Sequence, residues 1–200
     1  MPAPVDHDSK RREVARIAAR LIAEAGLEGA TIRRVAAAAG CSTAVVTHYF
    51  ATKNDMLLAA YRHLADLAQT RFDAAAAERP LDLVNCLETL LPLDEESRAA
   101  WRVYFEFWPM ANRDAAFAHE QKYWNRNAVS FAATIVRANF PDNALADRQA
   151  QLVLSALQGI ALQSMFDPDQ WPPETQKAML RSHVSLILRG FADIASTDRG

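Results

Sequence analysis

The sequence predicts an all-α protein, and three observations predict it. Half of the residues are apolar, with only six glycines and nine prolines to interrupt them. The apolar residues recur at three- and four-residue spacing, and no alternating run of β-branched residues competes with that period. Helix-stopping residues such as Gly40, Pro80, Pro92, Pro141 and the pair Pro172-Pro173 fall between the periodic stretches. The expected architecture is a three-helix N-terminal helix-turn-helix module followed by a helical bundle, about nine helices in all.

Residues 9–25 form the first expected helix, with Val14, Ile17, Ala18, Leu21, Ile22 and Ala25 on one face. Gly26 and Gly29 then break the chain. Thr31 suits an N-cap, and the helix it starts places Ile32, Val35 and Ala36 together. Gly40 ends that helix in left-handed geometry. Ser42 and Thr43 are both plausible N-caps for a second short helix running through Val46 and Phe50. Two helices joined by a turn containing glycine have the spacing of a helix-turn-helix, whose second helix can enter the major groove of double-stranded DNA.

A fourth helix is expected from Asp55 to about Glu78, with Leu57, Tyr61, Leu64, Ala68 and Phe72 buried. Lys53 stands just before it, where its ammonium can meet a phosphate beside free helix-terminal amides. A short helix follows from Pro80 through Leu91. Acids at 94–96 suit the start of another, on which Trp101, Tyr104, Phe105 and Trp108 share a face before a kink or break at Pro109 and Asn112. A long helix is expected over 113–139, carrying Phe117, Tyr123, Trp124, Phe131 and Ile135. Two further helices, over 144–166 and 174–195, flank a turn-rich loop at 167–173. The first carries Leu152, Leu157, Ile160 and Leu162, the second Met179, Val184, Ile187, Leu188 and Phe191. The last five residues are expected to fray.

The run Thr31-Ile32, Val35-Ala36, Ala39-Gly40-Cys41-Ser42, Tyr49-Phe50 and Lys53, preceded by a helix ending near Gly26, resembles the tetracycline-repressor (TetR) family of bacterial transcription regulators. The match covers the first quarter of the chain without insertion. Where many members carry Leu-Tyr-x-His-Phe, this chain has Val46-Thr47-His48-Tyr49-Phe50, a variant similar to the branch of choline-responsive betaine-pathway regulators. The resemblance implies a domain at 1–53 that binds DNA and a domain at 54–200 that binds a small molecule and dimerises. The expected DNA contacts are Thr31, Arg33, Arg34, Ser42, Thr43, Ala44, Thr47, His48, Tyr49 and Lys53. Thr hydroxyls can bond to bases or phosphates, and Ala44 or a threonine methyl can touch a thymine methyl. Tyr49 can clamp a phosphate or seal the module's core with its ring.

Charge agrees once it is divided. The net charge is −2, but residues 1–53 carry +3 and the remainder −5. Attraction to phosphates needs a local basic surface, not a basic protein.

In the second domain, Trp101, Tyr104, Phe105, Phe107, Trp108, Tyr123 and Trp124 gather within 24 residues. Aromatics at helical spacing usually make core. Here the stripe is wider than one buried face needs, and the surplus suits a pocket formed by Trp101, Tyr104, Phe105, Trp108, Tyr123 and Trp124. With Glu106 and Glu120 near, such a cage would suit a cationic effector. In the last two helices, Leu157, Gln158, Ala161, His183, Val184 and Ile187 are the expected homodimer contacts, the alternative being that they complete the monomer core.

No run of ~18 apolar residues suggests a membrane span, and the N-terminus lacks a signal-peptide core. A cytoplasmic location is expected, with Cys41 and Cys86 as free thiols. No cofactor or metal is implied. The histidines make no paired ligand spacing, and no phosphate loop, GxSxG or CxxC occurs, so no enzymatic activity is expected. The reading is a ligand-responsive transcriptional repressor that binds a palindromic operator as a dimer. Its rival is a helical small-molecule-binding or scaffold protein without DNA binding.

Overall fold

A computed structural model describes the backbone of residues 4–141 and 143–197 and the side chains of 8–141 and 143–189. Among these residues the chain forms helices α1 (Pro4–Gly29), α2 (Ile32–Ala38), α3 (Thr43–Tyr49), α4 (Lys53–Glu78), α5 (Leu83–Glu88), α6 (Glu95–Ala111), α7 (Ala115–Asn139), α8 (Ala146–Phe166) and α9 (Pro173–Thr197). They group into two compact units. One comprises residues 1–67 and 99–122, the other residues 68–98 and 123–200.

In the first unit α1 buries Val14, Ile17, Ala18, Leu21 and Ile22. Ala25, expected on the same face, is exposed, because the helix breaks there. Ala25 has φ −142° and Gly26 has φ +67° with ψ −179°, a combination open almost only to glycine. A second short helical stretch then ends at Gly29. Thr31 caps α2, its Oγ1 accepting from the Arg34 N–H at 3.2 Å. Gly40, at φ +61°, turns the chain after α2. Of the two candidate caps for α3, Ser42 takes the role, accepting from the Val45 N–H at 3.4 Å.

Helix α4 starts at Lys53, two residues earlier than expected. Thr52 is its cap: Thr52 Oγ1 accepts from the Asp55 N–H at 3.1 Å, and the Thr52 N–H donates to Asp55 Oδ2 at 3.0 Å. This reciprocal pair is a capping box with Asp in the acidic position. Because α4 runs unbroken to Glu78, the boundary expected after residue 53 falls inside a helix. The first compact unit extends to Leu67 and takes in 99–122, held by contacts of α4 with α6 and α7 described below.

In the second unit, Pro80 lies in a turn where Leu81 takes φ +69°. So α5 starts only at Leu83, with Asp82 as cap, and stops at Glu88, short of the expected Leu91. Asp94 caps α6 by accepting from the Ser97 N–H at 2.7 Å, and that bond holds its carboxyl below the usual range. Pro109 neither ends nor breaks α6, which continues to Ala111. Asp114 caps α7, accepting from the Ala116 N–H at 2.8 Å, so α7 starts at Ala115, not Arg113. Helix α8 packs on α9, and α5 on α9. Their core includes Leu83, Leu87, Val153, Leu157, Ile160, Leu180 and Val184. The expected burial of Phe191 and the fraying of the last residues lie outside what the structure describes.

Gly26 yields a direct test. Gly26→Ala forces a side chain into the glycine-only region and should cost about 1–3 kcal/mol, read as a lowered melting temperature by circular dichroism. An unchanged melting temperature would mean that the α1 break is not strained.

Candidate nucleic-acid interface and sensor residues

Helix α3 has seven residues, too few to hold together alone. Its position comes from Val46 and Phe50, which are 0% and 1% exposed. With these two turned inward, Ala44, Thr47 and His48 are exposed away from them, and Thr43 is exposed at the helix start; Ser42, Arg33 and Arg34 are exposed as well. Thr31 and Tyr49 are half-buried. The Tyr49 ring meets the His48 ring edge-on at 5.3 Å. The Thr47 hydroxyl donates to the Thr43 and Ala44 carbonyls at 3.1 and 3.2 Å. That leaves its oxygen as an acceptor and its methyl outward. Lys53 Nζ stands 3.6 Å from Glu28. Sequence reasoning missed Glu28, and it missed Arg11, whose guanidinium lies 5.2 Å from the Phe50 ring centroid as a cation–π lid. Neither contact follows any periodicity.

Three polar contacts fasten α4 to the 99–122 segment. Asn54 Nδ2 donates to Asp114 at 3.4 Å. The Tyr61 hydroxyl donates to Gln121 Oε1 at 2.5 Å. Arg62 donates to Glu120 from Nε at 2.8 Å and from Nη2 at 2.5 Å. Glu120 is 6% exposed, so the guanidinium compensates a carboxylate that burial would otherwise penalise. Burial raises the Tyr61 pKa, with smaller contributions from Tyr104 and Glu120, so that hydroxyl remains a donor.

The aromatic stripe divides into two faces. Val103 and Phe107 are buried, and Phe107 meets Tyr61 at 4.9 Å and Phe117 at 5.1 Å. This face is core. On the other, Trp101 contacts Tyr104, Phe105 and Trp108 at 5.7, 5.6 and 6.0 Å, and Phe105 meets Trp108 at 5.3 Å. Trp101 is buried, while Tyr104, Phe105 and Trp108 are half-exposed. Tyr123 and Trp124 pair at 5.2 Å in the second unit, and Tyr123 is 51% exposed. The two carboxylates expected to complete a cation cage are engaged elsewhere: Glu120 holds Arg62, and Glu106 accepts from the Leu27 N–H.

The second unit contains a cleft of about 480 Å³ between α7 and α8, lined by polar residues including Asn125, Arg126, Ser130, Gln151, Ser155 and Gln158. Nothing in the sequence pattern marked it, because its residues are scattered on the polar faces of two helices. Among the expected dimer contacts, Gln158 lines this cleft. Leu157, Ala161 and Val184 are 3%, 0% and 4% exposed within their own chain, as the monomer-core alternative has them, in a unit where α8 packs on α9. His183 and Ile187 are half-exposed. The outward apolar positions are Leu152, Phe166, Met179 and Leu186.

Residues 16–60 match the bacterial regulatory proteins of the tetR family, and residues 81–189 match the C-terminal region of BetI-type transcriptional repressors. The chain belongs to the TetR family. It is 28% identical over 196 residues to the HTH-type transcriptional regulator PksA of Bacillus subtilis, covering 94% of each chain. With the HTH-type transcriptional regulator BetI of Burkholderia mallei it shares 32% identity over 147 residues, 69% of this chain and 75% of that one. A transcriptional regulator from Saccharomonospora viridis, solved in complex with choline, has the same fold at TM-score 0.77 and 24% identity, with 89% of this chain and 96% of that one covered. As a TetR-family member of BetI type, the protein is a ligand-responsive DNA-binding transcriptional repressor and not an enzyme, which sets aside the scaffold reading. No helix among the described residues is long and apolar enough to cross a membrane.

Proposed function

We propose that α3 enters the major groove with Thr43, Ala44, Thr47 and His48 toward the base edges. The observation that carries this is the exposed polar face of a short helix anchored from beneath by Val46 and Phe50. Arg33, Arg34, Tyr49 and Lys53 grip the flanking phosphates. Lys53 does so from the first turn of α4, where helix-terminal amides favour an anion. Thr31 and Ser42 serve mainly by capping α2 and α3.

The repressor acts as a two-fold dimer through the outer face of α8 and α9. Leu152, Gly159 and Phe166 recur every seven residues on α8, and Met179 and Leu186 do so on α9, so each set shares one side of its helix. Leu186 and Phe166 are each 72% exposed. Large apolar side chains exposed in register support an interface between copies.

The effector binds against Trp101, Tyr104, Phe105 and Trp108, with α6 as the responding element. Choline in the Saccharomonospora viridis regulator makes a quaternary ammonium the first class to test. Attraction would come chiefly from the ring faces, since Glu106 accepts from the Leu27 N–H and Glu120 from Arg62. The polar cleft between α7 and α8 favours a second location, for a hydrogen-bonding effector. Either way, release from DNA requires the effector to bind the non-reading conformation more tightly.

Three outcomes test this reading. Lys53→Ala should weaken binding equally across sequences and flatten the salt dependence by about one unit, whereas Thr47→Ala or His48→Ala should change base preference by about 1–3 kcal/mol at one position. Wild-type binding by all three would mean that α3 is not the reading helix. In sedimentation, Leu186→Glu with Phe166→Glu should yield folded monomers, while Leu157→Glu should lose helical circular dichroism because it buries a charge in the core. A dimer that survives the outer-face changes would move the interface elsewhere. Choline should raise the melting temperature, and Trp108→Ala should abolish that rise. A rise that persists in Trp108→Ala but disappears in Arg126→Ala would place the effector in the cleft.

A further inference from the structure

We infer that Glu106 is a positioning residue for DNA binding, acting from α6 through the turn Gly26–Gly29 on Arg34 and Lys53. The inference rests on the reading of those two residues as phosphate contacts.

The α1 break leaves the Leu27 N–H at the start of a new helical stretch, without an acceptor in its own helix. Glu106 supplies one from 79 residues away, its Oε2 accepting at 3.3 Å. A Cβ at Gly26 would stand 3.5 Å from both carboxylate oxygens, so the bare glycine backbone lies directly against this side chain. The same turn touches two basic residues. Glu28 stands 3.6 Å from Lys53 Nζ. Gly29 lies so near Arg34 that a Cβ there would come within 3.1 Å of Nη1. Four consecutive residues thus rest on α6 at one end and on the beginnings of α2 and α4 at the other. Helix α6 also carries Trp101 to Trp108 one turn to either side, so any displacement of α6 at those rings moves Glu106 with it.

Glu28 adds a second term. Its side chain is fully exposed, so its pairing with Lys53 is weak, and Lys53 can exchange it for a phosphate. Glu28 then remains beside that phosphate as a repelling charge. The turn therefore sets both where the clamps stand and how strongly Lys53 is screened.

The test uses the full chain and an operator duplex selected by the wild-type protein from a randomised pool, with affinity followed by anisotropy against potassium chloride. Glu106→Ala should weaken binding about threefold to tenfold and flatten the salt slope by about one. Glu106→Gln, which keeps an acceptor for Leu27, should restore affinity and slope. In an Arg34→Ala/Lys53→Ala background, Glu106→Ala should have no further effect. The inference is overturned if Glu106→Ala leaves affinity and slope unchanged, or if its loss adds in full in that background, as a general structural role would require. Glu28→Gln decides the matter independently should Glu106→Ala fail to fold. It should tighten binding about twofold to fourfold only while Lys53 is present. No gain, or an equal gain in Lys53→Ala, overturns it. An Arg34→Ala/Lys53→Ala double variant that binds like wild type would instead remove the phosphate reading beneath, so the two failures are distinguishable.

Discussion

The position of α3 depends on burying Val46 and Phe50. A helix of seven residues gains too few backbone hydrogen bonds to offset the ordering of its chain. Removing two side chains from water supplies the difference, at about 1.5–3 kcal/mol each for full burial. It also fixes the rotation of α3. Once positions 46 and 50 point inward, the helical period leaves 44, 47 and 48 outward, and Thr43 is exposed as the first residue of the helix. Ser42 adds a cap, Gly40 provides the turn before it, and Arg11 covers the Phe50 ring. The exposed polar face of α3 is thus a by-product of packing, set by the two apolar anchors beneath it.

The second constraint is the attachment of α4 to the 99–122 segment. Apolar contact alone, such as Tyr61 on Phe107, would tolerate sliding. Three directional contacts over residues 54–62 reduce that freedom. Arg62–Glu120 is the most demanding of them, since it sets a charge against a buried carboxylate. An isosteric apolar pair could match it in stability. A guanidinium donating twice to one carboxylate oxygen instead specifies register, which a protein needs when one helix has to follow another. Together with Glu106 on Leu27, these contacts make the first compact unit a composite of α1–α4 and the 99–122 segment.

Local chemistry made most of the fold legible in the sequence. Thr31, Ser42 and Asp94 cap the helices they precede, and Gly40 turns the chain where left-handed geometry was expected. The helix starts that moved did so for local reasons as well: Thr52 pairs with Asp55 one turn on, and Leu81 takes up the turn after Pro80. The site divided differently. Exposure of Ala44, Thr47 and His48 followed from the period of one helix, and that of Thr43 from its place after the cap, so it could be read. Which apolar stripe of α8 and α9 faces its neighbour could not, because Leu157 and Leu152 are equally apolar and only tertiary packing separates 3% from 40% exposure. The same limit applies to Glu106 and Glu120. Their place near the aromatics in sequence suggested a cage, whereas partners 79 and 58 residues away claim both carboxylates.

Charge completes the account of selectivity. A protein that neutralises many phosphates binds all DNA well, and its operator must then compete with the rest of the genome. Here the first 53 residues carry +3 and the others −5, so general attraction to DNA is small and falls further with salt. Binding must come from a few placed contacts. With Arg34, Lys53 and α3 making those contacts, as proposed, small displacements of them have large relative effects. A repressor released by a small molecule benefits from that economy of charge. The effector need supply only the free energy of those few contacts, through its preference for the conformation in which they no longer fit.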